Sequence, residues 1–208
     1  MDKERITISI NKEVLSMIDS IIDGINVRNR SHAIESLTNK ALAGNQSKNA
    51  VIVLGGDDAL KQLPKVTEII KQLEKNGYKK VHLAVGYLAD KIKAKLSAEN
   101  FRQIKIDYLT KGEGSAGAIL PLKRLFSNTF LVINSPKSAD FDISLFNNFH
   151  NRHKAIATVA TSDLEHMHGF YLFEPKVFDY IPKGYSMLES DVLPKLLKDN
   201  ALIVYPLI

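Results

Sequence analysis

The chain has 208 residues, 45% hydrophobic and 25% charged, which is enough to build one or two domains around a core. It has no cysteine, so disulfides, thiolate metal sites and cysteine nucleophiles are excluded, in keeping with a cytoplasmic protein. No apolar run reaches the roughly 18 residues of a membrane helix, and the MDKER opening is not that of a signal or transit peptide. The net charge of +5 favours contact with phosphate without singling out a nucleic-acid binder.

Arg5-Ile6-Thr7-Ile8-Ser9-Ile10 alternates strictly, which predicts a strand with Ile6, Ile8 and Ile10 on one face and Arg5, Thr7 and Ser9 on the other. Asn11 is an N-cap for a helix in which Val14, Leu15, Ile18, Ile21 and Ile22 recur at helical spacing, with Gly24 ending it. Ser31 is the expected cap of a second helix, where Ile34, Leu37 and Ala41 share a face. A lone six-residue strand leaves its backbone unpaired, and so short a segment has little core of its own. Two copies pairing their strands antiparallel and pooling their helices solve both problems. The resulting ribbon would present Arg5, Thr7 and Ser9 outward, in a shape that fits a major groove.

The runs RITISI, NKEVLSMIDSII and NVRNRSHAIESL together resemble the ribbon-helix-helix repressors of the Arc/MetJ type. That resemblance implies base reading by Arg5, Thr7 and Ser9, a phosphate clamp at Arg30 and Ser31, and a homodimer on double-stranded DNA. The expectation for residues 1–44 is therefore a dimeric DNA-binding arm.

The polar stretch Gly44-Asn45-Gln46-Ser47-Lys48-Asn49 separates two differently patterned regions, so a linker is expected at 45–49 and a second domain at 50–208. Ala50–Leu54 forms a buried-type strand followed at once by Gly55-Gly56. Helical spacing follows through Val66, Ile69, Ile70 and Leu73, then a strand at 80–85 and a helix at 88–96. A strand at 104–108 leads into the glycine-rich Gly112-Glu113-Gly114-Ser115-Ala116-Gly117 and a helix running to Leu125. The strand at 129–134 is apolar throughout its middle and reads as central. Later elements are a helix at 144–153, strands at 155–160 and 169–173, a helix at 189–198 and a strand at 202–205. This alternation predicts an α/β fold, a mostly parallel sheet with helices on both faces and ligands at the C-terminal strand ends. Neither G-x-G-x-x-G nor the P-loop pattern is present.

Taken in order, VIVLGG, the segment from VTEIIKQLEKNGYKK through VHLAVGYLADKIKAKL, GEGSAGAI, FLVINSPKSADFDI and GFYLFEPKVFDYIP resemble the sugar-phosphate nucleotidyltransferases, Rossmann-like enzymes that make nucleotide sugars. The resemblance implies nucleotide or nucleotide-sugar binding near Gly55, Gly56, Gly114, Ser115 and Asn134. It also exposes departures. Asp57-Asp58 stand where the family has a basic triphosphate loop, and Pro64-Lys65 is the remnant of its Pro-Lys. Pro136 stands where the family places its metal aspartate, Asp140 and Asp142 match positions beyond that ligand, and Ile208 precedes the position of a second metal aspartate. These departures imply a pseudoenzyme with no catalytic residue, no metal and no cofactor. The expected whole is a cytoplasmic, nucleoid-associated transcriptional regulator, with a ligand-sensing or oligomerising second domain and no membrane association. The alternatives are an active magnesium-dependent sugar-phosphate nucleotidyltransferase tethered by its DNA-binding arm, and a DNA-organising or partition protein.

Three further clusters have plain expectations. His150 and His153, with Arg152 between them, read as a solvated group at a helix end. His166 and His168 read as a loop or turn, and Lys61, Lys65, Lys71, Lys75, Lys79 and Lys80 as a solvated helix face.

Overall fold

A computed structural model describes residues 4–45, 48–134, 142–161 and 169–207. The chain divides into two compact units, Met1–Gln46 and Ser47–Ile208. No helix among the described residues is long and apolar enough to cross a membrane.

In the first unit, α1 (Lys12–Ser20) starts where Asn11 Oδ1 accepts from the Glu13 backbone N–H at 2.8 Å. This satisfies one of the donors a helix start leaves open. The helix stops at Ser20, short of the expected Gly24, because Asp23 organises its own turn. The Asp23 carboxylate accepts from the backbone N–H groups of Ile25, Asn26 and Val27. Those bonds, the one from Val27 foremost, hold its pKa down at about 2. The second helix, α2 (Arg30–Asn45), is capped by Asn29, whose Oδ1 accepts from His32 N–H at 2.9 Å. The expected cap, Ser31, therefore lies within the first turn. Residues 4–11 form no strand within this chain. Among the described apolar side chains of this unit only Ile18 and Ala33 are buried, while Ile6, Met17 and Ile25 are 73%, 70% and 80% exposed.

In the second unit, seven strands form one sheet in the order β3-β2-β1-β4-β6-β5-β7. They are β1 (Lys48–Val53), β2 (Tyr78–Ala84), β3 (Lys105–Leu109), β4 (Phe130–Asn134), β5 (Ala157–Thr161), β6 (Phe170–Phe173) and β7 (Leu202–Pro206). Lys48 already belongs to β1, so strand takes up the end of the expected linker. β6 runs antiparallel to β4 and β5, and the other pairings are parallel. β1 and β4 are buried along most or all of their length, because both faces of the sheet are covered.

One face carries α3 (Leu63–Lys75), α4 (Ala89–Leu96) and α6 (Ile143–His153). Their Val66, Ile69, Ile70, Ile92 and Phe146 pack on Ile52, Leu83 and Leu131. The other face is closed by the short helix α5 (Gly114–Gly117), 3-10 turns at Leu120–Arg124 and Pro175–Asp179, and α7 (Leu193–Lys198). There Phe126, Phe130, Phe173 and Phe178 form the aromatic part of the core. From β1 the chain builds outward through β2 to β3, then returns to lay β4 on the other side of β1. The strand order thus reverses between β1 and β4, and a crevice opens beyond their C-terminal ends.

Candidate functional site

The crevice holds a cavity of about 430 Å³. Its floor comes from the ends of four parallel strands: Val53 ending β1 with Leu54 next to it, Ala84 ending β2, Leu109 ending β3 and Asn134 ending β4. Backbone bonds fix these ends side by side, Leu54 N–H donating to Ala84 O at 2.8 Å and Val85 N–H to Leu109 O at 3.1 Å. Gly55 and Gly56 form one wall, Gly112, Gly114 and Ser115 another, and Met187 closes over them. The structure therefore brings Gly55, Gly56, Gly114, Ser115 and Asn134, spread over some 80 positions of sequence, into one cavity. Lys111 is the cationic side chain among the described residues that line it.

The glycine-rich loop is held in place by the segment before α7. Ala116 and Gly117 N–H both donate to Ser186 O, and Ser186 N–H donates to Glu113 O. A Cβ on Gly114 would lie 2.2 Å from Ser186 O, so the two backbones meet where no side chain fits. A second cavity of about 380 Å³ lies on this loop, lined by Gly112, Glu113, Gly117, Leu120, Pro121 and Gly184. It has Glu113 as its one charged lining residue, and the larger cavity is where polar groups converge.

At the Asn134 end stands a carboxylate that sequence patterning read only as a helix start. Leu188–Val192 is a single π-turn leading into α7, a distortion that often marks functional sites. It turns Glu189 inward, where its Oε1 accepts from Asn134 Nδ2 at 2.6 Å and from the Tyr171 hydroxyl at 2.9 Å. Its Oε2 accepts from Ser115 Oγ at 3.3 Å. Burial, and then the Glu189 carboxylate, push the Tyr171 hydroxyl far above its ordinary pKa, so it stays protonated and donating. No local pattern marks Glu189, which stands beside Leu188 and ahead of Val192 and Leu193.

The departures seen in the sequence have physical outcomes. Asp58 pairs with Lys61 at 2.8 Å, which holds its carboxyl below the usual range. Pro64 and Lys65 fall in the first turn of α3, and Lys65 faces Glu68. Asp142 caps α6, accepting from Ser144 and Leu145 N–H. Pro136, Asp140, His166 and His168 lie outside the described residues. His150 is buried, against the expectation of a solvated cluster, and bonds Thr158 and Glu174. Of the lysine face, Lys61, Lys65, Lys71 and Lys80 have acidic partners.

No protein-family model matches the chain. A UTP–glucose-1-phosphate uridylyltransferase of Synechocystis is 24% identical over 193 residues, covering 69% of this chain and 50% of the relative. The chain thus spans about half the length of that relative. HddC from Yersinia pseudotuberculosis superposes with a TM-score of 0.62 at 19% identity, covering 76% of this chain and 90% of HddC. HddC has also been solved in complex with GMP-PN. The inositol-1-phosphate CTP transferase from T. maritima superposes at 0.54 with 16% identity, over 77% of this chain and 86% of its own.

The α/β unit has a nucleotidyltransferase-like fold.

Two expectations are thereby corrected. The Synechocystis relative is a uridylyltransferase and the T. maritima neighbour a CTP transferase, which points to an enzyme rather than a DNA-binding regulator. Arg5, Thr7, Ser9, Arg30 and Ser31, the residues expected to contact DNA, are all exposed on the first unit. Arg30 is in fact engaged by Asp19 through two bonds of 2.7 and 2.8 Å. The inactive-domain reading is replaced as well. It rested on the departures at Asp57, Asp58, Pro64, Lys65 and Pro136, whereas five of the described residues lining the cavity of this nucleotidyltransferase-like unit are glycines.

Proposed function

We propose that the α/β unit is a sugar-phosphate nucleotidyltransferase. In the reaction a sugar-phosphate oxygen attacks the α-phosphorus of a nucleoside triphosphate. The bond to the β-phosphate oxygen breaks, and pyrophosphate leaves with a nucleotide sugar as product. The observation that carries this reading is the convergence of Gly55, Gly56, Gly114, Ser115 and Asn134 on one cavity at the strand-order reversal. Glycine walls let phosphates approach backbone N–H groups, and Lys111 supplies positive charge.

The reading implies a divalent ion on the triphosphate. Among the described residues no group of three histidines or acids could hold one. Asn134 offers only an amide, Asp142 is spent on a helix cap, and Glu189 already binds three side chains. These residues do not make an ion site.

The test is pyrophosphate release from each of the four nucleoside triphosphates with glucose, mannose and inositol phosphates, in magnesium chloride. Release that needs both substrates is expected. Absence of release from every pair sinks the proposal.

For the N-terminal unit we propose association of two copies, favoured by the exposure of Ile6, Ile8, Val14, Met17 and Ile25 on so small a unit. Antiparallel pairing of residues 5–10 about Thr7 sets Arg5 against Ser9 of the second copy, whereas parallel pairing sets Arg5 against Arg5. Light scattering should give twice the chain mass for the natural protein and one chain mass for Ile6→Ser/Ile8→Ser. A monomeric natural protein overturns this.

A further inference from the structure

We infer that Glu189 is a positioning residue that turns the amide oxygen of Asn134 into the cavity, making this end of it a reader of hydroxyl groups rather than of phosphate. The inference rests on the reading of the cavity as a nucleotide and sugar-phosphate site, and its argument is one of proton supply.

An ionised carboxylate only accepts hydrogen bonds. The atom of Asn134 that lies 2.6 Å from Glu189 must therefore be the amide nitrogen, and the same pairing fixes which way the amide faces. That leaves Oδ1 as the free end of a side chain that lines the cavity. Among the described residues none donates to it.

Ser115 is committed in the same way. Its Oγ accepts from Leu188 N–H at 2.8 Å and faces two acceptors with its one proton, Glu189 Oε2 at 3.3 Å and the weaker Met187 sulfur at 3.9 Å. Its backbone N–H is directed to the Met187 sulfur at 3.5 Å. Tyr171 also spends its proton on Glu189. Three side chains around this end have thus turned their donors toward one carboxylate, and what remains for a ligand is an acceptor.

Phosphate oxygens are acceptors too, and placing one against Asn134 Oδ1 would leave both without a proton. A sugar or ribose hydroxyl supplies that proton. The phosphates are then left to the opposite wall, where Gly55, Gly56 and Lys111 stand. Substitution of Glu189 by glutamine adds a donor where three donors already point. The Asn134 amide then has no reason to hold its orientation.

Calorimetric titration of the full chain tests this with two pairs of probes. Glucose 1-phosphate is compared with inorganic phosphate, and UMP with 2′,3′-dideoxy-UMP. In one pair Glu189→Gln should weaken the hydroxyl-bearing probe about tenfold and leave the hydroxyl-free probe unchanged. The affected pair tells whether the hydroxyl belongs to the sugar or to the ribose. Asn134→Ala should give the same loss, and the double variant should be no worse than either single one, because both remove one interaction. Asn134→Ala also serves if Glu189→Gln fails to fold. Equal losses for both members of a pair, additive losses, or no binding of any probe would each overturn the inference. Binding with the expected pattern but no pyrophosphate release would sink the proposed reaction and leave this assignment standing.

Discussion

Gly114 and Ser186 touch through backbone alone: a Cβ on Gly114 would sit 2.2 Å from the Ser186 carbonyl oxygen. The contact fastens the glycine-rich loop to the segment that carries Met187 and Glu189, so it sets the shape of one wall of the cavity. Gly56 is a natural control, since its φ of +73° resembles the +77° of Gly114 but no atom lies within 4 Å of its Cβ position. Gly56→Ala should cost about 1 kcal/mol, the strain of a left-handed residue alone. Gly114→Ala should cost several times that and displace residues 185–187. Urea denaturation of both variants measures the difference, and equal losses would show that the backbone contact yields freely.

His82, on β2, is 2% exposed, stacks edge-on against Phe126, and has no hydrogen bond at Nδ1. Asp107 stands 3.7 Å away but is bound to Lys80 at 2.6 Å. Burial, and then the Lys80 charge, lower the His82 pKa below its ordinary value. The unfolded chain therefore takes up a proton here more readily than the folded one. Stability is full above about pH 6.5 and is lost as the pH falls through the folded-state value. His82→Leu should be nearly neutral at pH 8, since it removes a buried group without a partner. It should also flatten the fall in melting temperature between pH 7 and pH 5. An unchanged slope would assign that fall to other groups.

Much of this architecture could be read from local pattern. The apolar run at 130–134 became the buried β4, and the period of Val66, Ile69, Ile70 and Leu73 became α3. Gly55, Gly56, Gly114, Ser115 and Asn134 were named from the family resemblance rather than from local pattern, and they line one cavity. Glu189 was not named, because its partner Asn134 is 55 positions away and only the sheet order brings them together. His150 was misread for a similar reason, its partners lying on β5 and just beyond β6. The N-terminal alternation 5–10 describes a strand only once something pairs with it, and a single chain provides no partner.

Two hydrogen bonds from Arg30 to the Asp19 carboxylate join α2 to α1, with both side chains well exposed to solvent. Each group shifts the other in the expected sense, the bond to Arg30 lowering Asp19 and the bond to Asp19 raising Arg30. Water screens such pairs strongly. Arg30→Ala should therefore move the melting temperature little and leave pyrophosphate release from the α/β unit unchanged. A large loss of helix by circular dichroism in that variant would mean the pair holds the two helices together.

Glu174 gathers a second polar cluster at the end of the sheet opposite the cavity. It accepts from His150 Nε2 at 3.1 Å and from the Thr129 hydroxyl at 2.5 Å, while His150 Nδ1 bonds the Thr158 hydroxyl at 2.7 Å. With Glu174 ionised, His150 must donate to it through Nε2. Thr129 immediately precedes β4 and Asn134 ends it, which separates the cluster from the cavity by about 16 Å of strand. The bond from His150, and then that from Thr129, hold the Glu174 carboxyl below its usual range. Its contribution is present above the unfolded-state value near pH 4.5 and is lost as the pH falls through the lower folded-state value. Glu174→Gln should cost about 1 kcal/mol at pH 7, after allowance for partial exposure, and should remove that part of the acid dependence. Ligand affinity should not change, because the cluster fixes α6 and the sheet but touches nothing in the cavity. A variant that lost affinity in step with stability would show that the two ends of β4 are coupled.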